Sequence, residues 1–204
     1  MKVNYLKSNC IDIKEKEALR YLRYRNNNVD QETHRTLKES ISELQDIGEP
    51  KYVYITFDIE NKNNIISFSN KLNVKSKNLS RLYEFCDKST VFAATIGFEV
   101  EKRIRFYNQT NLSKGIIFDA CAAAYVESLC DYIEKEIEEM ASKEGYNITY
   151  RYSPGYGDLT ISHQSDILSL LNAQKLIGLS ALESAILVPV KSVTAFIGWK
   201  RRNV

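Results

Sequence analysis

One stretch of this chain concentrates residues that can do chemistry: Arg151-Tyr152-Ser153-Pro154-Gly155-Tyr156-Gly157-Asp158. Pro154 fixes φ, and Gly155 can take the positive φ of a type II turn, so Tyr156 leaves from a defined backbone. Gly157 adds a second permissive joint. Such a turn offers backbone N–H and C=O groups at close range. Arg151, ending the segment before it, can hold a carboxylate with two parallel hydrogen bonds. On spacing alone the loop is either a ligand-binding turn or a tight strand-to-helix connection with its arginine in solvent. Other chemistries lack their residues. There is no G-x-x-x-x-G-K phosphate loop and no G-x-G-x-x-G after a strand. His34 and His163 are the only histidines, so a Ser-His-Asp or Cys-His enzyme would have to use one of them. His34 reads as a surface residue of a charged helix, while His163 closes the loop region. Cys10, Cys86, Cys121 and Cys130 are scattered without a C-x-x-C pair, which argues against zinc ribbons, redox dithiols and iron–sulfur clusters. No metal site is expected.

The elements that must carry the loop read as a mixture. The first fifty residues read as helix, through Ala18-Leu19-Arg20-Tyr21-Leu22, an Asn26–Asn28 turn, and a second helix capped by Asp30 and stopped by Gly48 and Pro50. Lys51–Asp58 is rich in β-formers and reads as a strand. A turn at Asn61–Asn64, a strand at Ile65–Phe68, a short helix at Asn78–Phe85 and a strand at Val91–Ile96 follow. The strongest helix runs from about Ile116 to Ala141, with a core stripe of Ile116, Ala120, Ala123, Val126, Cys130, Ile133, Ile137 and Met140. Glu134, Lys135, Glu136, Glu138 and Glu139 form its expected wet side. Glu127 lies one residue off the stripe, beside a run of alanines thin enough for close packing or close approach of a ligand. A strand at Tyr146–Tyr152, a helix at Ile167–Leu176 closed by Gly178, and strands at Ala185–Pro189 and Val193–Gly198 complete the chain. Without a steady β-α-β-α repeat this is α+β with a largely antiparallel sheet. Nothing forces a domain boundary, so one domain over residues 1–204 is expected.

Composition narrows the class. With 204 residues, 44% apolar and 26% charged, the chain can bury a core without disulfides. Lys and Arg total 28 against 26 Asp and Glu, a net charge of +2 that gives no electrostatic case for nucleic acid. The first residues turn polar before any signal-peptide core forms, and no stretch approaches a membrane span. The expectation is a cytoplasmic protein.

The loop also resembles something known. Arg-x-Ser-Pro-Gly-Tyr-Gly-Asp at 151–158 resembles the S-adenosylmethionine-binding loop of the activation (reactivation) domain of cobalamin-dependent methionine synthase. Ile177–Ser184 followed by Val188–Ala195 resembles that family's closing segment, Ala93–Val100 a middle motif, and Ala18–Tyr24 the opening of its short, free-standing forms. The resemblance implies an α+β fold with helices around a bent sheet. It also implies a role in returning oxidised cob(II)alamin to methylcobalamin, with S-adenosylmethionine as methyl source and flavodoxin or a similar protein as electron donor. By the same resemblance Arg151 would hold the ligand's carboxylate, and the backbone of Ser153, Pro154 and Gly155 would meet the adenosine. Tyr156 would stand at the catalytic position, between ligand and cobalamin. Glu127 would take the ammonium, one helical turn after the family's usual carboxylate, where this chain has Ala123.

Two departures stand out. Gly157-Asp158-Leu159-Thr160 replaces the family's Pro-Ala-Cys-Pro run, and the fused domains continue past the last strand with an aromatic segment, so a more open pocket is expected. Lys191 and Asp158 read as surface charges. The Asp-x-His-x-x-Gly motif of a cobalamin module is absent. The implied partner is therefore a separate cobalamin-binding methionine synthase, with no catalysis by this chain alone. Two alternatives stay open: an activator of another corrinoid methyltransferase, and a scaffold subunit that no longer binds S-adenosylmethionine.

Overall fold

A computed structural model describes residues 2–6, 10–24 and 29–202. The expected Asn26–Asn28 turn lies outside them. The order begins β1 (Lys2–Tyr5), α1 (Glu15–Tyr21), α2 (Gln31–Ile47), β2 (Lys51–Lys62), β3 (Ile65–Phe68), β4 (Leu72–Lys75), α3 (Lys77–Leu82) and β5 (Cys86–Thr95). It continues with α4 (Phe98–Thr110), α5 (Leu112–Lys143), β6 (Tyr146–Ile148), α6 (His163–Leu170), α7 (Ala173–Ile177), β7 (Ser180–Ala181), β8 (Leu187–Val188) and β9 (Ser192–Arg201). The main sheet runs β4-β3-β2-β5-β9-β6, with β1 also on β2, and its pairings are antiparallel. The α+β fold is the one expected.

The N-terminal region departs from the all-helix expectation. Lys2–Tyr5 is a strand, paired Lys2↔Tyr54 to Tyr5↔Lys51. Four residues carry too little periodicity to announce a strand, and the exposed edge of β2 supplies what local sequence does not. Asp30 does cap α2, accepting from the Thr33 N–H at 2.8 Å. Asn63 and Asn64 take positive φ in the β2–β3 hairpin, as a tight turn between twisted strands requires. β4 and α4 had no sequence expectation. The expected helix at 167–176 is two, parted where Asn172 takes a left-handed conformation.

Alternation along the strands sends side chains to two cores. Tyr52 and Tyr54 of β2, Phe92 of β5, and Ala195, Ile197 and Trp199 of β9 face α1, α2, α4 and α5. Val53, Phe57, Val91 and Phe196 face the other way, onto β3, β4, α6 and α7. α5 lies against the sheet on one side and against the other three helices on another. That explains why Phe118, Cys121, Tyr125 and Leu129 are fully buried beside the expected stripe. It is also why the stripe fails at Ile116, which is 54% exposed, and at Ala123, which is half-buried. The acidic side of α5 is not simply wet. Glu136 accepts the Tyr52 and Tyr54 hydroxyls and the Lys2 ammonium, each at 2.6 Å, so it locks β1 and β2 to the helix layer. Burial pushes the Cys121 thiol up to about 12, in keeping with a small core residue rather than a nucleophile.

Candidate functional site

After β6 the chain keeps running beside β9. The Thr149 N–H donates to the Gly198 C=O at 2.9 Å, and Tyr152 exchanges both backbone hydrogen bonds with Phe196 at 2.9 Å. Pairing then stops, because Pro154 has no N–H and turns the chain away. The Tyr156 N–H reaches back to the Ser153 C=O at 3.3 Å, and Gly155 sits at φ +98°. This is the type II turn that the Pro-Gly pair predicts. Gly157 takes φ +54°, and a Cβ there would overlap the Asn78 amide and the Tyr152 hydroxyl. Leu159 is buried beneath the loop. Asp158 is exposed, yet it is more than a surface charge. Its carboxylate accepts from Ser76 Oγ at 2.6 Å, the Lys77 N–H at 2.6 Å and the Asn78 N–H at 3.2 Å. These bonds, the Ser76 hydroxyl first, hold its carboxyl below the usual aspartate range. They tether the loop to the start of α3.

Where the chain leaves β9, a cavity of about 500 Å³ opens between the loop, α5, α6 and β9. Glu127, Arg151, Ser153, Pro154 and Tyr156 line it, while Gly155 supplies the turn without facing the space. Tyr156 stands at the mouth, 67% exposed, its ring 6.4 Å from that of Tyr152. Gln164, Leu187, Ser192 and Thr194 line the far side. Lys191 does not line it; its ammonium pairs with Asp119 at 3.0 Å. His163 lies 3.9 Å from Asp166, and His34 lies 3.6 Å from Glu15 on the far helix layer.

Arg151 is held by α5. Nη1 donates to Asp131 at 2.9 Å and to Glu134 at 2.7 Å, and Nη2 donates to Glu127 at 2.6 Å. Asp131 also takes the Lys14 ammonium at 2.6 Å. Burial works to discharge Arg151, but the Cys130 side chain and the bonds to Asp131 and Glu127 outweigh it and raise its pKa. Three carboxylates against two cations leave one net negative charge in this cluster, of which Glu127 and Arg151 face the cavity. Glu127, Asp131 and Glu134 follow steps of four and three, which puts them on one face of a helix. That spacing is present in the sequence, although there Glu134 reads as part of a solvated run and Asp131 does not stand out.

The cluster has a signature in acid. Burial pushes the Asp131 carboxyl up, but Lys14 and Arg151 outweigh it and leave it below 3.8. Glu136 is likewise held below 4.5, burial opposing and Lys2, Tyr52 and Tyr54 prevailing. A depressed folded pKa contributes stability that is complete above the unfolded pKa and is lost as pH falls through the folded one. The urea midpoint should therefore be flat down to about pH 5 and fall below about pH 4. A midpoint that holds to about pH 3 would remove these two groups from the account.

The fold and this loop define a class before any comparison: an α+β domain whose cavity lies at the edge of an antiparallel sheet, not at the C-terminal ends of parallel strands. The model of the family described as vitamin B12 dependent methionine synthase, activation domain, matches residues 79–202, and the chain belongs to that family. Among solved structures, the fold is similar to one titled "Crystal Structure of the MetH Reactivation Domain bound to AdoHcy". The TM-score is 0.70 at 15% identity, covering 100% of this chain and 80% of that one. At that identity the likeness speaks for the fold. A search of the curated proteins finds no match. Among the described residues no helix is long and apolar enough to cross a membrane.

Proposed function

We propose that the cavity binds S-adenosylmethionine and that this chain presents the ligand's methyl group to cobalamin carried by a separate methionine synthase chain. The observation that carries the reading is the pairing of two unlike walls in one cavity at the Arg151–Tyr156 loop. Glu127 and Arg151 line one side, and Asp131, Glu134 and Lys14 behind them leave that side net negative, which suits the ammonium and sulfonium. Three of Arg151's five N–H groups are engaged, which leaves Nε and one Nη2 hydrogen for the ligand's carboxylate. Glu127 Oε2 holds Arg151, and Oε1 can meet the ammonium. The exposed Tyr156 ring at the mouth offers a π face to the sulfonium, worth about 0.5–2 kcal/mol. A volume near 500 Å³ is ordinary for a small-molecule site.

The bound cobalamin supplies the reactive cobalt. This chain's residues position the methyl donor, and a flavodoxin-like protein supplies the electron. One observation favours the scaffold alternative: Arg151 already has carboxylates of its own. Calorimetric titration of the full chain with S-adenosylmethionine, repeated with the cobalamin-loaded partner present, tests the reading. Saturable binding below millimolar ligand is expected, tightened by the partner. No binding under either condition would leave the scaffold role in its place.

A further inference from the structure

We propose that Gln164 reads the nucleoside half of the ligand, with Thr194 as the residue that positions it and Ser192 beside it. This assignment rests on the proposed function and gives the ligand a direction in the cavity. The two walls differ in kind. The α5 side lines the cavity with the charged pair Glu127 and Arg151, backed by Asp131, Glu134 and Lys14, whereas the far side carries the neutral polar residues Gln164, Ser192 and Thr194. A zwitterionic amino-acid end belongs with the first. A neutral base and sugar belong with the second.

The far wall is built to donate. Thr194 is 2% exposed, and its hydroxyl donates to Gln164 Oε1 at 2.7 Å. A side-chain amide that accepts at oxygen presents two N–H donors at nitrogen, and Gln164 Nε2 has no partner among the described residues. Two residues along β9 on the same face, Ser192 also lines the cavity. Gln164 lines the cavity, so its amide nitrogen is the donor this wall offers to what fills it. The backbone agrees. Both peptide groups of Phe196 point to Tyr152, so those of Thr194 point the same way, past the end of pairing. Purine ring nitrogens and ribose hydroxyls supply the acceptors this edge lacks.

The test titrates S-adenosylmethionine and methylthioadenosine, which keeps the nucleoside and lacks the amino-acid end, into wild type, Gln164→Glu and Gln164→Leu. Gln164→Glu keeps an oxygen for the Thr194 hydroxyl and removes the amide donors. Both ligands should lose about fivefold to tenfold in affinity in both variants, while the thermal midpoint of Gln164→Glu stays that of wild type. Loss for S-adenosylmethionine alone would put Gln164 at the amino-acid end and overturn the assignment. Unchanged affinity for both ligands would overturn it as well. Failure of the wild type to bind S-adenosylmethionine, both alone and with the cobalamin-loaded partner present, would overturn the proposed function, and this assignment with it.

Discussion

Arg151→Ala is expected to strip the cavity of ligand and loosen the domain in the same step. Its side chain is 24% exposed and receives three carboxylates from one face of α5. Removing it strands them within two helical turns of one another, with only Lys14 left to answer. Stranding a fully buried partner costs about 3–5 kcal/mol. These carboxylates are 27–46% exposed, and solvent screens them, so about 2 kcal/mol is expected. Affinity for S-adenosylmethionine should fall at least about tenfold, since a charged, two-pronged grip is lost. Arg151→Lys separates the two effects. It keeps the charge but not the fork, so most of the stability should return and little of the binding. Urea melts and titrations of both variants read this directly. A fully stable Arg151→Ala would mean the α5 carboxylates are content with water.

Phe196→Ala should cost about 3–5 kcal/mol, the range for deleting a fully buried aromatic. Phe196 is 0% exposed, packs tilted against Phe68 at 5.3 Å between ring centroids, and lies on the strand beside which the loop departs. Its backbone bridge to Tyr152 survives the substitution, so the loop keeps its attachment but loses the packing below. The stability loss should therefore exceed the loss of affinity measured on whatever fraction stays folded. Chemical denaturation followed by tryptophan fluorescence checks it through Trp199. A loss under about 1 kcal/mol would mean that the core collapses around the gap.

The parts of the fold that depend on local chemistry were legible. Asp30 as a helix cap, Asn63-Asn64 as a turn, Pro154-Gly155 as a type II turn and Gly178 as a helix end each act within a few residues of themselves. What escaped depends on partners far along the chain. β1 is a strand only because β2 offers it an edge. Glu136 leaves the wet face only because Tyr52, Tyr54 and Lys2 come to it from far along the chain. The site divides in the same way. Arg151, Glu127 and the 153–156 turn could be named from residue types and resemblance. Gln164, Thr194 and Ser192 are unremarkable residues in sequence, and only the open end of a strand edge brings them together.

The recognisable family segment starts at residue 79, yet β2 ends at Lys62 and lies along β5 from Lys51↔Thr95 to Asp58↔Lys88. Residues 79–202 cut out alone would leave that length of β5 as bare hydrogen-bonding edge, an invitation to neighbouring chains. They would also lack Tyr52, Tyr54 and all of α1 and α2. Lys14, which steadies Asp131 across 117 positions of sequence, would go as well. What is inherited as a recognisable text and what folds as one cooperative body are thus different lengths of chain. Residues 79–202 expressed alone are expected to aggregate, whereas the full chain covers that edge with β2.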